Sequence, residues 1–118
     1  MSTPAIIVFK DKDFGDVAVY QHWDGYPEGE HGVVGRVMSL PASGRVWDLP
    51  RYEGQEFAAG YVAAYKEGRG DIQILSGTKR KWKLTGCQYV YTVSFESGGL
   101  KVVVSDSWDG KPLEAESE

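Results

Sequence analysis

Near the start of the chain, residues 5–9 form a short apolar run rich in β-branched residues, and residues 17–22 form a second strand-like run after a polar segment. Runs of this length between turn residues are typical of strands, and their short connection predicts an antiparallel hairpin. Successive side chains of a strand project to opposite faces, so Tyr20 and His22 are predicted to lie on the same face. The pattern therefore predicts a first hairpin whose second strand ends with a phenol and an imidazole side by side.

Three more strands are predicted in the second half of the chain. A short apolar run covers residues 71–75, and a clean alternation of polar and apolar residues covers 88–95. Residues 96–99 are typical of a hairpin loop, and the apolar run 100–104 predicts the strand that returns from it. The second half thus predicts one short strand and a second hairpin.

Helical periodicity starts near the middle of the chain. Residues 28–40 place apolar side chains at spacings of three and four, which predicts a helix with one buried stripe. Pro27 suits the first turn of this helix, and Pro41 is predicted to end it. Because glycines within the range weaken the helix, we expect it to be short or irregular.

The clearest apolar stripe belongs to residues 55–67, which predict a second helix, with Gly68 among its stop signals. Between the two helices, residues 41–53 are rich in proline and polar side chains and predict a loop. Val46 and Trp47 are the apolar pair of this loop, and we expect both to pack on the core.

The predicted element order is β-β-α-α-β-β-β, with strands grouped at both ends of the chain and helices between them. This order indicates an α+β fold with a mostly antiparallel sheet of about five strands backed by two helices. A chain of 118 residues fits one domain. We assign residues 1–108 to a single α+β domain and expect residues 109–118 to form an acidic, flexible C-terminal tail.

Charge and composition narrow the function. The net charge of −4 and the pI near 5.2 argue against direct nucleic-acid binding, which depends on clustered Lys and Arg. The basic run 79–83 is a local exception, and it suits either an anion site or a solvated edge strand. With one cysteine, no signal-peptide pattern and no long apolar run, we expect a cytoplasmic protein without a membrane partner.

Residues 22–29 concentrate functional groups where the second strand ends. Asp24-Gly25 is a favoured turn pair in which Gly25 can supply a positive φ. One interpretation is a structural turn, in which Trp23 and Tyr26 fill the space beneath it and His22 bonds a backbone group. The other is a binding site, whose candidate residues are Tyr20, His22, Trp23, Asp24, Tyr26, Glu28, Lys79 and Arg80.

Catalytic and metal motifs are incomplete in this sequence. His22 and Asp24 could form a general base with its orienting carboxylate, but no nucleophile motif accompanies them. The spacing of His22 and His31 matches no common zinc site, and the spaced glycines from Gly29 onward do not form a dinucleotide fingerprint. We therefore assign no catalytic residue, no metal and no cofactor, and keep a hydrolase as an alternative.

One motif resembles a known group of sequences: Tyr20-x-His22-x-Asp24-Gly25-Tyr26-Pro27. It is similar to a motif in small, mostly uncharacterised proteins encoded by bacteriophages and prophages. The likeness covers about residues 20–95 and includes Gly77-Thr78-Lys79 and Tyr89-x-Tyr91-x-Val93, although the basic residues 80–83 depart from the acidic residues of those proteins. The resemblance transfers no catalytic residue. It implies a small protein that binds a host component, such as a CRISPR effector or other defence machinery.

The leading prediction is a non-enzymatic, phage-type protein that binds a bacterial host protein stoichiometrically and inhibits a defence system such as CRISPR. The first alternative is a protein that binds or sequesters a small ligand such as a nucleotide, with Lys79 and Arg80 contributing. The second is a hydrolase centred on His22 and Asp24. A homodimer is compatible with each of these functions.

Overall fold

The structure is a computed structural model that describes residues 3–29, 32–76 and 86–105. Within these ranges the chain forms five strands and three helices. The strands are β1 (Ala5–Phe9), β2 (Val17–Gln21), β3 (Ile72–Leu75), β4 (Tyr89–Glu96) and β5 (Gly99–Ser105). The helices are α1 (Val33–Met38), α2 (Leu40–Ser43) and α3 (Gly54–Tyr65).

The described strands form one sheet in the order β3-β2-β1-β4-β5. The pairs β1–β2, β2–β3 and β4–β5 are antiparallel, whereas the central pair β1–β4 is parallel. The predicted α+β fold with a mostly antiparallel sheet is confirmed. The parallel pair at its centre was not predicted, because the pairing of distant strands leaves no trace in local periodicity.

The helices cover one face of the sheet. Alternate residues of β1 and β2, such as Ile7, Phe9 and Val19, pack there against Phe57 and Tyr61 of α3. The opposite face carries a smaller buried cluster of Ile6, Val8, Ala18 and Val90, and Tyr20 packs on this cluster. The predicted division of the second strand into two faces is therefore correct.

The predicted helix 28–40 is replaced by two short helices. α1 begins at Val33, after Gly32, where any side chain would collide with the backbone of Glu28. The prediction that Pro41 ends the first helix is wrong, because Pro41 lies in the first turn of α2. The first turn of a helix does not need the N–H that proline lacks, so a new helix can start there.

The second helix is confirmed with shifted ends, since α3 spans Gly54–Tyr65 and not residues 55–67. It packs on β1, β2 and β3. The Asp11 carboxylate accepts the Gln55 N–H at 3.3 Å and satisfies one of the free donors at its start.

The loop predicted over residues 41–53 overlaps α2, whose last three residues fall within it. Val46 is buried as predicted, but Trp47 is 41% exposed, so its predicted place on the core is wrong. The Arg51 guanidinium covers the Trp47 ring at 3.4 Å from the ring centre, which gives the indole a partner on the surface.

The predicted tail 109–118 lies outside the described residues. Among the helices of the described part of the chain, none is long and apolar enough to cross a membrane.

Candidate functional site

The turn after β2, residues 22–29, is fixed from beneath by a buried glutamine. Gln21 is 2% exposed and faces the helices. Its Nε2 donates to the carbonyl oxygens of Trp23 at 2.7 Å and Asp24 at 3.0 Å, and its Oε1 accepts the Tyr61 hydroxyl at 2.5 Å. Gln21 thus ties the turn to α3: its Nε2 bonds the turn and its Oε1 bonds the helix.

Gly25 provides the second attachment of the turn. Its N–H donates to the carbonyl oxygen of Thr3 at 2.7 Å, and its own carbonyl accepts the buried Tyr91 hydroxyl at 2.5 Å. A Cβ at this position would lie 2.7 Å from the Ala5 Cβ and would also collide with the Thr3 carbonyl. Glycine is therefore required here by the close approach of the N-terminal strand.

In the Asp24-Gly25 pair the left-handed residue is Asp24, with φ of 56°, and not Gly25. The positive φ that the sequence allowed at Gly25 is therefore not found there. Asp tolerates the left-handed region better than most residues, and Gly25 is freed to serve the crowded contact.

The two phenols that hold the turn remain neutral donors. Burial raises the pKa of Tyr61 and of Tyr91 far above the ordinary value of 10.0. Both hydroxyls therefore keep their protons at physiological pH and continue to donate to Gln21 and Gly25.

Three rings line up on the outer side of the turn. The Tyr20 hydroxyl and His22 Nδ1 lie 2.7 Å apart, which confirms that the two side chains share one face. Burial raises the pKa of Tyr20, so the phenol in this pair is neutral at physiological pH. The Trp23 indole meets the His22 ring edge-on at 4.4 Å between ring centres, and Trp23 is 50% exposed.

The structural-turn interpretation expected the His22 imidazole to bond a backbone group, but the Tyr20 phenol engages it instead. It also expected Trp23 to fill the space beneath the turn, whereas Trp23 is half exposed. In the described part of the chain, no hydrogen bond joins the Asp24 carboxylate to His22. The arrangement of a base with its orienting carboxylate, on which the hydrolase alternative depends, is therefore not formed by this pair in the structure.

The remaining candidate residues fall into two groups. Asp24 and Glu28 are exposed and Tyr26 is half-buried, so all three remain near the turn surface. Lys79 and Arg80, like His31, lie outside the described residues. Within the described part of the chain, no group of three or more His, Cys, Asp or Glu could hold a metal ion.

A small hollow of about 170 Å³ adjoins the turn on the helix side. Trp23 and Asp24 form one wall, and Arg36 and Tyr65 form another. The Arg36 guanidinium lies 4.8 Å from the Tyr65 ring centre, and the Tyr65 hydroxyl donates to the Arg36 carbonyl at 3.1 Å. The exposed indole is therefore bordered by a rigid polar surface.

Three residues support the turn in ways that the sequence did not predict: Gln21, Tyr61 and Tyr91. A signal for Gln21 was available, because it continues the face of Val17 and Val19 and so places an amide on the core side. Tyr91 gave no such signal, since its partner Gly25 is 66 residues away in the chain.

A larger cleft, of about 720 Å³, lies at the opposite end of the sheet, where the parallel strands β1 and β4 end. Lys10, Lys12 and Lys101 line the cleft together with Tyr52 and Phe95. Lys10 pairs with Asp16 at 2.9 Å, and the Tyr52 hydroxyl donates to the Lys10 carbonyl at 3.0 Å.

No protein-family model, no curated protein and no solved structure matches this chain.

Proposed function

We propose that this chain is a non-enzymatic, phage-type binding protein that acts stoichiometrically on a bacterial host protein in the cytoplasm. Inhibition of a defence system such as CRISPR is the role that we assign to it. One observation carries the proposal: a half-exposed tryptophan, Trp23, stands on a turn whose backbone is bonded from below by buried side chains.

A fixed aromatic side chain is well suited to protein recognition. Tryptophan is enriched among the few interface residues that supply most of the binding free energy. Association costs less when the contact surface is already ordered. Because Gln21 and Tyr91 hold the turn, little conformational entropy remains for Trp23 to lose. His22 packs against one side of the indole and limits its rotation further.

The bonding of His22 supports a binding role over turnover. Its Nδ1 lies against the Tyr20 phenol, and a phenol with a raised pKa does not stabilise an imidazolium as a carboxylate would. Asp24 projects at the surface, where it is available to a partner. The phage context of the proposal comes from the resemblance of residues 20–27 to phage and prophage proteins.

The test is affinity capture from a bacterial host with three tagged proteins: the wild type, Trp23→Ala and Trp47→Ala. Trp47 is the matched control because it is a second exposed tryptophan, 41% exposed against 50% for Trp23. We expect the wild type and Trp47→Ala to recover the same host protein in equal molar amount, and Trp23→Ala to lose it. Capture that is unaffected by Trp23→Ala would refute the role of this turn.

A plating assay tests the biological role separately. A phage that the host's defence restricts should regain its plating efficiency when the wild-type chain is expressed, and Trp23→Ala should not restore it. Equal plating with and without the chain would refute the anti-defence role even if a partner were captured.

A second candidate function, small-ligand binding, is favoured by the cleft at the ends of β1 and β4. Its volume of about 720 Å³ lies in the range of ligand sites. Three lysines and four carboxylates share its lining, and Lys10 and Lys101 pair with Asp16 and Glu96, so a phosphate would have to compete with these ion pairs. A nucleotide that binds the folded state must raise the melting temperature. The test is a thermal-shift series with nucleotides and with inorganic phosphate as control. A nucleotide-induced rise in melting temperature that Lys10→Ala abolishes would support this function, and no stabilisation by any nucleotide would reject it.

A further inference from the structure

Strand β5 forms one edge of the sheet that the described residues build. Among the described strands it has one neighbour, β4, and it ends the sheet. It is seven residues long, contains three consecutive valines and no proline, and carries one charged side chain, Lys101. Natural edge strands are usually blunted by short length, proline, bulges or several charges. The opposite edge of the described sheet, β3, has four residues and follows that rule.

The backbone groups that β5 presents at this edge can be identified. The Val93 carbonyl accepts the Lys10 N–H at 2.9 Å, so Val93 directs its backbone toward β1. Val93 lies opposite Val102 in the β4–β5 pair. Opposite residues of an antiparallel pair exchange both hydrogen bonds or neither, so Val102 turns its N–H and C=O away from β4. Leu100 and Val104 do the same, since the direction alternates along a strand.

We propose that β5 pairs with β5 of a second copy of this chain, antiparallel, about a two-fold axis through Val102. Val102 then lies opposite Val102 of the second copy, and Leu100 lies opposite Val104. All three outward-facing residues find partners in this register. On the other sheet face, Lys101 lies opposite Val103, and no like charges meet.

Neighbouring registers are poorer. A shift that centres the axis on Lys101 places the two Lys101 ammonium groups opposite each other, which is destabilising. A shift that centres it on Val103 leaves Leu100 without an outward-facing partner in β5. A displacement of one strand against the other by a single residue would place the helix-covered face of one copy beside the solvent face of the other. The sequence of β5 therefore favours a single self-complementary register.

The helix layer extends the contact beyond the strand. α1 packs on β5, whereas α3 packs on β1, β2 and β3, so α1 lies beside the edge. Met38, at the end of α1, is 49% exposed. In the proposed dimer the two α1 helices lie on the same face of the joined sheet near the axis, and we expect them to add surface to an edge that alone is smaller than a stable interface requires.

The dimer has a geometric consequence for the turn. Seven strand spacings separate the two copies of β2 in the joined sheet, and at ~4.8 Å each they lie about 34 Å apart. The two Trp23 turns are at distant, two-fold-related positions and leave the β5 edge untouched. This inference does not depend on the proposed function, but such a dimer would hold two target molecules at once.

The test is sedimentation equilibrium from about 1 to about 200 µM with variants of one residue. Val103→Lys places lysine opposite Lys101 of the second copy, and Val103→Glu places a carboxylate there. Both variants replace the same half-buried valine with a charged side chain, so circular dichroism should show similar folding.

The wild type should dimerise, Val103→Lys should raise the dimer dissociation constant at least about tenfold, and Val103→Glu should not. The double variant K101E/V103K reverses the charge pair and should restore the dimer. A wild type that is monomeric throughout, or equal effects of the two single variants, would overturn the proposal.

Amide hydrogen exchange of the wild type tests the same register without any substitution. The amides of Leu100, Val102 and Val104 should be protected at about 200 µM and should exchange fast at about 1 µM, where the dimer dissociates. Fast exchange of these three amides at both concentrations would show that β5 does not form the interface.

Discussion

Replacement of Gln21 by leucine removes the amide that ties the turn to α3 while keeping a side chain of similar size. Three hydrogen bonds disappear, to the carbonyls of Trp23 and Asp24 and from the Tyr61 hydroxyl. The two carbonyls belong to exposed residues, so water can replace part of what they lose. The Tyr61 hydroxyl cannot be rehydrated, because Tyr61 has no exposed surface.

The magnitude follows from these environments. A buried hydroxyl proton left without an acceptor costs about 2 kcal/mol, and each partly hydrated carbonyl costs about 0.5 kcal/mol. Gln21→Leu should therefore lower the free energy of unfolding by about 3 kcal/mol. With a urea slope of about 1.5 kcal/mol per molar, the unfolding midpoint should fall by roughly 2 M.

A double-mutant cycle with Tyr61→Phe separates the bond from the packing. Tyr61→Phe alone should cost about 1.5 kcal/mol, because it leaves the Gln21 oxygen unpaired. The double variant has no stranded hydroxyl, so its cost should be at least about 1 kcal/mol below the sum of the single costs. Urea unfolding followed by far-UV circular dichroism measures all four proteins. Additive costs, or a loss under about 1 kcal/mol in Gln21→Leu, would refute this account of the turn.

Four other changes test the same structure. Gly25→Ala should cost about 3 kcal/mol because its Cβ meets Ala5, whereas Pro27→Ala, in the same turn, should cost under about 1 kcal/mol in the same urea assay. Tyr61→Ala should cost about 4 kcal/mol by denaturation, since it leaves a cavity in the core. The Phe14 N–H and other backbone donors lower the pKa of Asp11 below its usual 3.8 in the folded protein. The stability that this carboxylate contributes is therefore complete above pH 3.8, and it is lost as the pH falls through the lower pKa of the folded state. Urea midpoints at about pH 5 and about pH 3 should therefore differ less in Asp11→Asn than in the wild type.

Local patterns predicted most of the elements but not their arrangement. The strands around Val19 and Val93 alternate clearly, and the stripe of α3 is regular, so each element was found within a few residues. Periodicity reports which residues share a face, and it placed Tyr20 and His22 correctly. It carries no information on which distant strands are neighbours, so the parallel β1–β4 pair could not be predicted.

The errors near the turn arise from tertiary contacts that override local preference. Asp-Gly suggested a positive φ at Gly25, but the approach of Thr3 and Ala5 gives that glycine a steric role instead. Pro41 was predicted to end a helix, although it lies in the first turn of the next one. The Trp23 side chain was recognised as a candidate, whereas the buried supports beneath it become visible only in three dimensions.

The central claim is that a rigid turn presents Trp23 to a bacterial protein. Isothermal titration of the purified host protein captured by the wild type measures this contact directly, with Trp23→Ala and Trp47→Ala titrated beside the wild type. The wild type and Trp47→Ala should bind at one partner per chain with the same Kd, and Trp23→Ala should bind at least about 30-fold more weakly. A Kd for Trp23→Ala equal to that of Trp47→Ala would contradict the claim.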